Sequence, residues 1–224
     1  MKNNSIDWFT RIIAISGLLL SIVAIGLPYY QAQNDAQEML FIDINPEHSN
    51  SIIKLSDDIN KSKAIQIPYI ITLSNTGKVK LSVVSYTIHQ MMKNQSIQMF
   101  SGLNGGIYTI NNNPIQFPKN IDAGESIRLK IYIGFLPTDK IQNYLQNEYK
   151  KNGILRTEDV LIFLAKKGLT LYGGKANYKD VDNSYLITID PLSYLNSPKY
   201  LLQFKTGRKN NFIGIASEYR QLNN

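Results

Sequence analysis

Imidazole, thiol and carboxylate groups are few in this 224-residue chain: two histidines, 17 acidic residues and no cysteine. The missing cysteine removes disulfides, thiolate nucleophiles and Cys-type zinc sites together. His48 lies in the polar stretch INPEHSN, and His89 in SYTIHQMM, where alternation sets it opposite Tyr86 and Ile88. No Gly-x-Ser-x-Gly elbow accompanies them, so both read as surface or half-buried histidines. Asp57–Asp58 and the group Asp180, Asp182 and Asp190 offer oxygens of the kind a hard cation takes. YKDVDNSY, Tyr178 to Tyr185, lacks the glycine and closing glutamate of an EF-hand, and reads as a solvated loop. NTGKV lacks the upstream glycine and following Ser/Thr of a phosphate loop, so it reads as a turn. No metal or cofactor is expected. Asp122, Glu125, Glu158 and Asp159 are the carboxylates on which a hydrolase would be built. A cleft holding a carboxylate pair with raised pKa would mark that chemistry.

Binding chemistry has better candidates. Tyr172, Tyr178, Tyr185, Tyr194, Tyr200 and Tyr219 crowd the last quarter, near the basic run KTGRKNN, Lys205 to Asn211. Lys205, Arg208 and Lys209, with Tyr200, form a candidate patch for an anionic surface or a glycan. The competing account places the tyrosines in a core and leaves the basic residues to guard a strand edge. Beyond residue 30 the chain holds 22 basic and 16 acidic residues, a net charge of +6. The basic residues come as scattered pairs, which serve solubility, so no nucleic-acid partner is expected.

These groups must be positioned by three kinds of element. The first is an apolar run, IIAISGLLLSIVAIGLPYY, Ile12 to Tyr30, with no charge between Ile12 and Leu27. With Trp8 and Phe9 it gives about 20 residues, enough to cross a hydrocarbon core of roughly 30 Å. Trp8, Tyr29 and Tyr30 sit where amphipathic rings settle at headgroup depth, and Arg11 can snorkel outward. The run is longer than a signal peptide's, and no Ala-x-Ala follows it, so it is expected to stay as an anchor. The N-terminal side carries Lys2, Arg11 and the α-amino group against Asp7, while Asp35, Glu38 and Asp43 follow the run with no Lys or Arg among them. The positive-inside bias therefore puts the N-terminus in the cytoplasm and the rest outside, with a cytoplasmic C-terminal domain as the alternative. The expected division is a cytoplasmic 1–7, an anchor 8–30, a linker 31–38 and a β domain 39–224.

Alternation dominates that domain. In IQIPYIITL, Ile65, Ile67, Tyr69, Ile71 and Leu73 share one face. Pro68 requires an edge or a bulge. SNTGK follows as a turn, with Asn75 and Gly77 suited to positive φ. The phase then slips near Val83–Val84, which predicts a bulge. SIRLKIYI, Ser126 to Ile133, turns Ile127, Leu129, Ile131 and Ile133 inward and Arg128, Lys130 and Tyr132 outward, after a turn at Gly124. Shorter strands are expected at 40–44, 52–55, 97–100, 107–110, 115–117, 160–165, 169–172, 185–189, 201–204 and 212–216. One helix is expected from Thr138 to a Gly153 stop, with Ile141, Tyr144 and Leu145 on one face.

LSNTGKVKLSV and, some 40 residues later, IDAGESIRLKIYI resemble the immunoglobulin-like modules of bacterial envelope proteins. The resemblance covers Ile65 to Ile133 and implies an antiparallel β-sandwich used for binding, spacing or adhesion. The fold expected is an all-β, immunoglobulin-like antiparallel β-sandwich with one inserted helix, preceded by a single transmembrane helix. Residues 39–136 would be its core and 137–224 the helix and extra strands. The functional expectation is a non-enzymatic membrane protein with the bilayer and an envelope protein as partners. A carboxylate-based hydrolase ranks third.

Overall fold

The computed structural model describes residues 4–49, 51–55, 64–92, 94, 96–182, 184–195 and 197–218. Asp57, Asp58 and Tyr219 lie outside them. The chain is mostly β, in antiparallel sheets, after one long apolar helix. Helix α1 runs from Asn4 to Asp35, five residues past the expected anchor end and through Pro28. Its span Arg11–Ala32 is long and apolar enough to cross a membrane, and none of it is buried against the rest of the chain. Trp8, Tyr29 and Tyr30 are largely exposed.

The first sheet takes β1 (Leu40–Pro46), β2 (Lys54–Leu55), β3 (Ile65–Asn75), β6 (Asn104–Thr109) and β8 (Ser126–Phe135), in the order β1-β3-β8-β6 with β2 beside β3. The second takes β4 (Leu81–Met91), β5 (Ile97–Gln98), β7 (Lys119–Ile121), β11 (Lys199–Thr206) and β12 (Asn211–Ser217). Its order is β12-β11-β4-β5, with β7 also on β4. A separate hairpin joins β9 (Ala176–Val181) to β10 (Ser184–Ile189). Both sheets feed one core: Tyr69 of β3 meets Tyr200 of β11 edge-on, with centroids 6.4 Å apart.

Ile65, Ile67, Tyr69, Ile71 and Leu73 are all buried, as the alternation requires. Pro68 sits in a central strand, yet its position is an edge in miniature. Its carbonyl accepts from Glu47 N at 3.1 Å, on the side where β1 has just ended at Pro46 and β2 has not begun. The missing N–H therefore faces a gap in the ladder. The slip in β4 is also real: Lys205 pairs with Ser85 and Thr206 with Val83, leaving Val84 as the extra, exposed residue.

Several expectations are corrected. Lys130 and Tyr132 occupy the outer face of β8 but are buried. Glu47 pairs with Lys130 at 3.0 Å, and Lys54 lies 3.7 Å from the Tyr132 ring centroid, so neighbouring segments cover that face. The Asn75–Gly77 turn does not use positive φ at Gly77. A Cβ there would lie 3.0 Å from the Gln37 carbonyl oxygen and 3.1 Å from Met39 N, so close approach of the connector favours glycine. Residues 160–165 are helical, within α3 (Thr157–Lys166). The apolar run VLIFLA reads equally as strand or helix, and its N-cap, Arg156, makes no side-chain cap bond that would signal a start. Residues 169–172 form turns with one bridge, Leu169 to Lys175, and 115–117 form no strand. Tyr178–Val181 and Ser184–Tyr185, expected in a loop, are strand, paired between β9 and β10.

Helix α2 (Asp139–Asn152) matches its sequence signals. The Thr138 hydroxyl accepts from Ile141 N, and Gly153 closes the helix at φ 70° with Ile141 and Leu145 fully buried. A short α4 (Pro191–Leu195) follows β10. The connections sort the domain into two ends. The end near α1 holds the β3–β4, β7–β8 and β11–β12 turns. The far end holds α2, α3 and the β9–β10 hairpin.

Candidate functional site

At the near end, the expected linker is short and pinned. Helix α1 carries no basic residue in its last turn. Arg208, from the tip between β11 and β12, supplies one: its Nη1 donates to the Ala36 carbonyl at 2.5 Å. Glu38 is buried and accepts from the Thr206 hydroxyl and from Asn210 Nδ2, the latter at 3.0 Å. Thr76 N donates to the Met39 carbonyl at 2.9 Å, so the β3–β4 turn holds the connector from the other side.

The basic tip itself is well ordered by its bonds. Lys209 takes φ 69°, its N–H donates to the Thr206 carbonyl at 2.9 Å, and Gly207 N donates to the bulged strand at Ser82. Lys205, Arg208 and Lys209 are exposed there. Tyr200 is not with them. It lies at the opposite end of β11, fully buried, and its hydroxyl has no partner among the described residues. The fold separates Tyr200 from the basic tip, because residues six apart on a strand stand about 20 Å apart.

The far end carries a feature that sequence reasoning missed. A cavity of about 290 Å³ is walled by Leu161, Ala165, Leu171, Ala176, Ile187 and Ile189, and closed at one end by His48 and Glu218. Helix α3 supplies one wall and the β9–β10 hairpin another. Glu218 is buried directly after β12. Its Oε2 accepts from Tyr172 at 3.1 Å and from Tyr69 at 3.5 Å, while Oε1 lies 3.6 Å from His48 Nδ1. Burial pushes the Glu218 carboxyl above the usual carboxylate range, and His48 and the two tyrosine hydroxyls oppose that rise. Tyr69 and Tyr172 are pushed well above the ordinary phenol value, first by burial and then by the Glu218 charge. No local motif surrounds Glu218 in sequence. Its partners come from far along the chain, Tyr69 being 149 residues away and His48 farther still, so only folding assembles them.

No family model, curated protein or solved structure matches this chain. The site must be judged on its own geometry. The carboxylates expected for a hydrolase are split between the two ends. Asp122 pairs with Lys80 at 2.8 Å, and Glu125 accepts from Asp122 N at 3.1 Å, in the near-end turn. Glu158 accepts from Tyr185 at 2.7 Å at the far end, where it lines a groove of about 320 Å³ together with Asp159 and Arg156. His89 lies in β4 across from Leu201, whereas His48 lines the cavity beside Glu218. Asp190 accepts from Leu192 N and Ser193 N at the start of α4, and Tyr178 donates to Asp180. Among the described residues no group of three or more acidic or histidine side chains is placed to hold a metal.

Proposed function

We propose that this chain is a non-enzymatic, single-pass membrane protein whose β domain binds a partner in the envelope. One observation carries the reading. The domain is polarised along its strands, with the apolar helix bonded to one end and an apolar cavity with a polar closure at the other. Burial and hydrogen bonding commit Glu218 to Tyr69, Tyr172 and His48, which suits a carboxylate that shapes a binding cavity better than one that attacks a substrate. The cavity walls are aliphatic, so the part of a partner it accepts is an apolar side chain or chain segment.

We read the two sheets as an immunoglobulin-like sandwich. The two stretches that suggested it support each other in space: Gly124 N donates to the Asn75 carbonyl, Asn75 N to the Glu125 carbonyl, and Ser126 Oγ to Ser74 Oγ at 2.7 Å. The acidic residues after the helix and the basic ones before it favour an extracytoplasmic domain.

The absence of cysteine makes the topology directly testable. Single cysteines at Asn4 and Ser184 are each treated in intact cells with a membrane-impermeant thiol reagent. Ser184→Cys is expected to label without lysis and Asn4→Cys only after it. The reverse pattern would place the domain in the cytoplasm, as an interaction or regulatory module on the same anchor.

A further inference from the structure

We infer that the β11–β12 tip is a docking surface for acidic phospholipid headgroups, which clamps the domain against the bilayer beside its own anchor; this rests on the single-pass reading. The argument is one of distance. The apolar span of α1 ends at Ala32, and Arg208 grips the carbonyl of Ala36. Four residues of helix rise about 6 Å. The headgroup layer on each side of a hydrocarbon core is about 5–7 Å thick. Arg208 is therefore held at headgroup depth by a bond to the anchor itself.

The charge at this end matches the depth. Among the described side chains, Lys80, Lys205, Arg208 and Lys209 are exposed around the helix exit, against exposed Asp122 and Glu125. Asp122 is already engaged by Lys80, and Glu38, which bonds to the tip, is buried under Thr206 and Asn210. Among the described side chains, the basic residues of the tip thus meet the membrane side of the domain with little opposing charge. Charges at the depth of Arg208 lie within a Debye length of the headgroups, where salt screens the attraction only in part.

The test uses the full chain in vesicles of pure phosphatidylcholine or with about one third phosphatidylglycerol. A fluorophore on Asn211→Cys is read against lipid carrying a headgroup quencher. Lys205→Ala/Lys209→Ala keeps the bond from Arg208 to Ala36, so the tip stays placed while two charges go. Stronger quenching is expected in the acidic vesicles, with the ratio of docked to undocked tip falling about 25-fold in the double variant, at roughly fivefold per charge. Lys150→Ala/Lys151→Ala, at the end of α2, is expected to leave it unchanged. Equal quenching of the parent in both lipids, or an equal fall in the α2 variant, would overturn the docking surface. Failure of the parent to float with either vesicle would overturn the anchor as well.

Discussion

Glu218 is the residue whose environment departs most from what its sequence neighbours suggest. A carboxyl raised by burial binds a proton more readily in the folded chain than in the unfolded one. The folded state is therefore favoured below the ordinary glutamate value of about 4.3 and loses that advantage as pH rises through the folded value. His48, Tyr69, Tyr172 and Tyr200 are the titratable groups that surround it. Glu218→Gln keeps the shape and the acceptor for Tyr172 but removes the charge. Denaturation followed from pH 4 to pH 8 is expected to show the parent losing stability relative to this variant as pH rises. A parallel pair of curves would mean that the carboxyl is as well solvated folded as unfolded. Tyr172→Phe, which strips a donor from the buried carboxylate, is expected to cost about 1–2 kcal/mol at neutral pH in the same measurement.

Between elements, backbone approach governs more than side-chain volume at one place. Gly134, near the end of β8, donates its N–H to the Leu103 carbonyl at 2.8 Å. A Cβ there would lie 2.1 Å from the Gly102 carbonyl oxygen. Because two backbones must separate to admit it, Gly134→Ala is expected to cost about 3 kcal/mol, read as a lower denaturant midpoint with unchanged slope. The β3 alternation and the α2 caps were legible in sequence because each is a local pattern repeated over several residues. The helix at Thr157–Lys166 was not, since a short apolar run has no period of its own and its first turn is held by a distant bond, Ser51 Oγ to Thr157 Oγ1 at 2.8 Å. Strand β10 was legible as the strand expected at 185–189, whereas β9 was not, because its polar run from Asn177 to Asp180 carries no apolar alternation.

For the whole molecule, the joint between helix and domain is the part on which the proposed docking depends. Glu38 receives two hydrogen bonds from the tip, so Glu38→Ala is expected to loosen the connector. Proteolysis between residues 33 and 39 should then quicken about tenfold, the loss of roughly 1.4 kcal/mol of local closure. Equal cleavage rates would mean that the β3–β4 turn alone holds the joint.

Sequence by itself determined the apolar helix, the alternating strands, the bulge in β4, the α2 helix and the absence of thiol chemistry, because composition and period act along the chain. The tertiary structure alone decided which groups meet. It buried Tyr200 away from the basic tip, brought that tip to the helix exit, and joined Glu218 to Tyr69, Tyr172 and His48. Pairing of distant strands sets those meetings, and no local pattern records it.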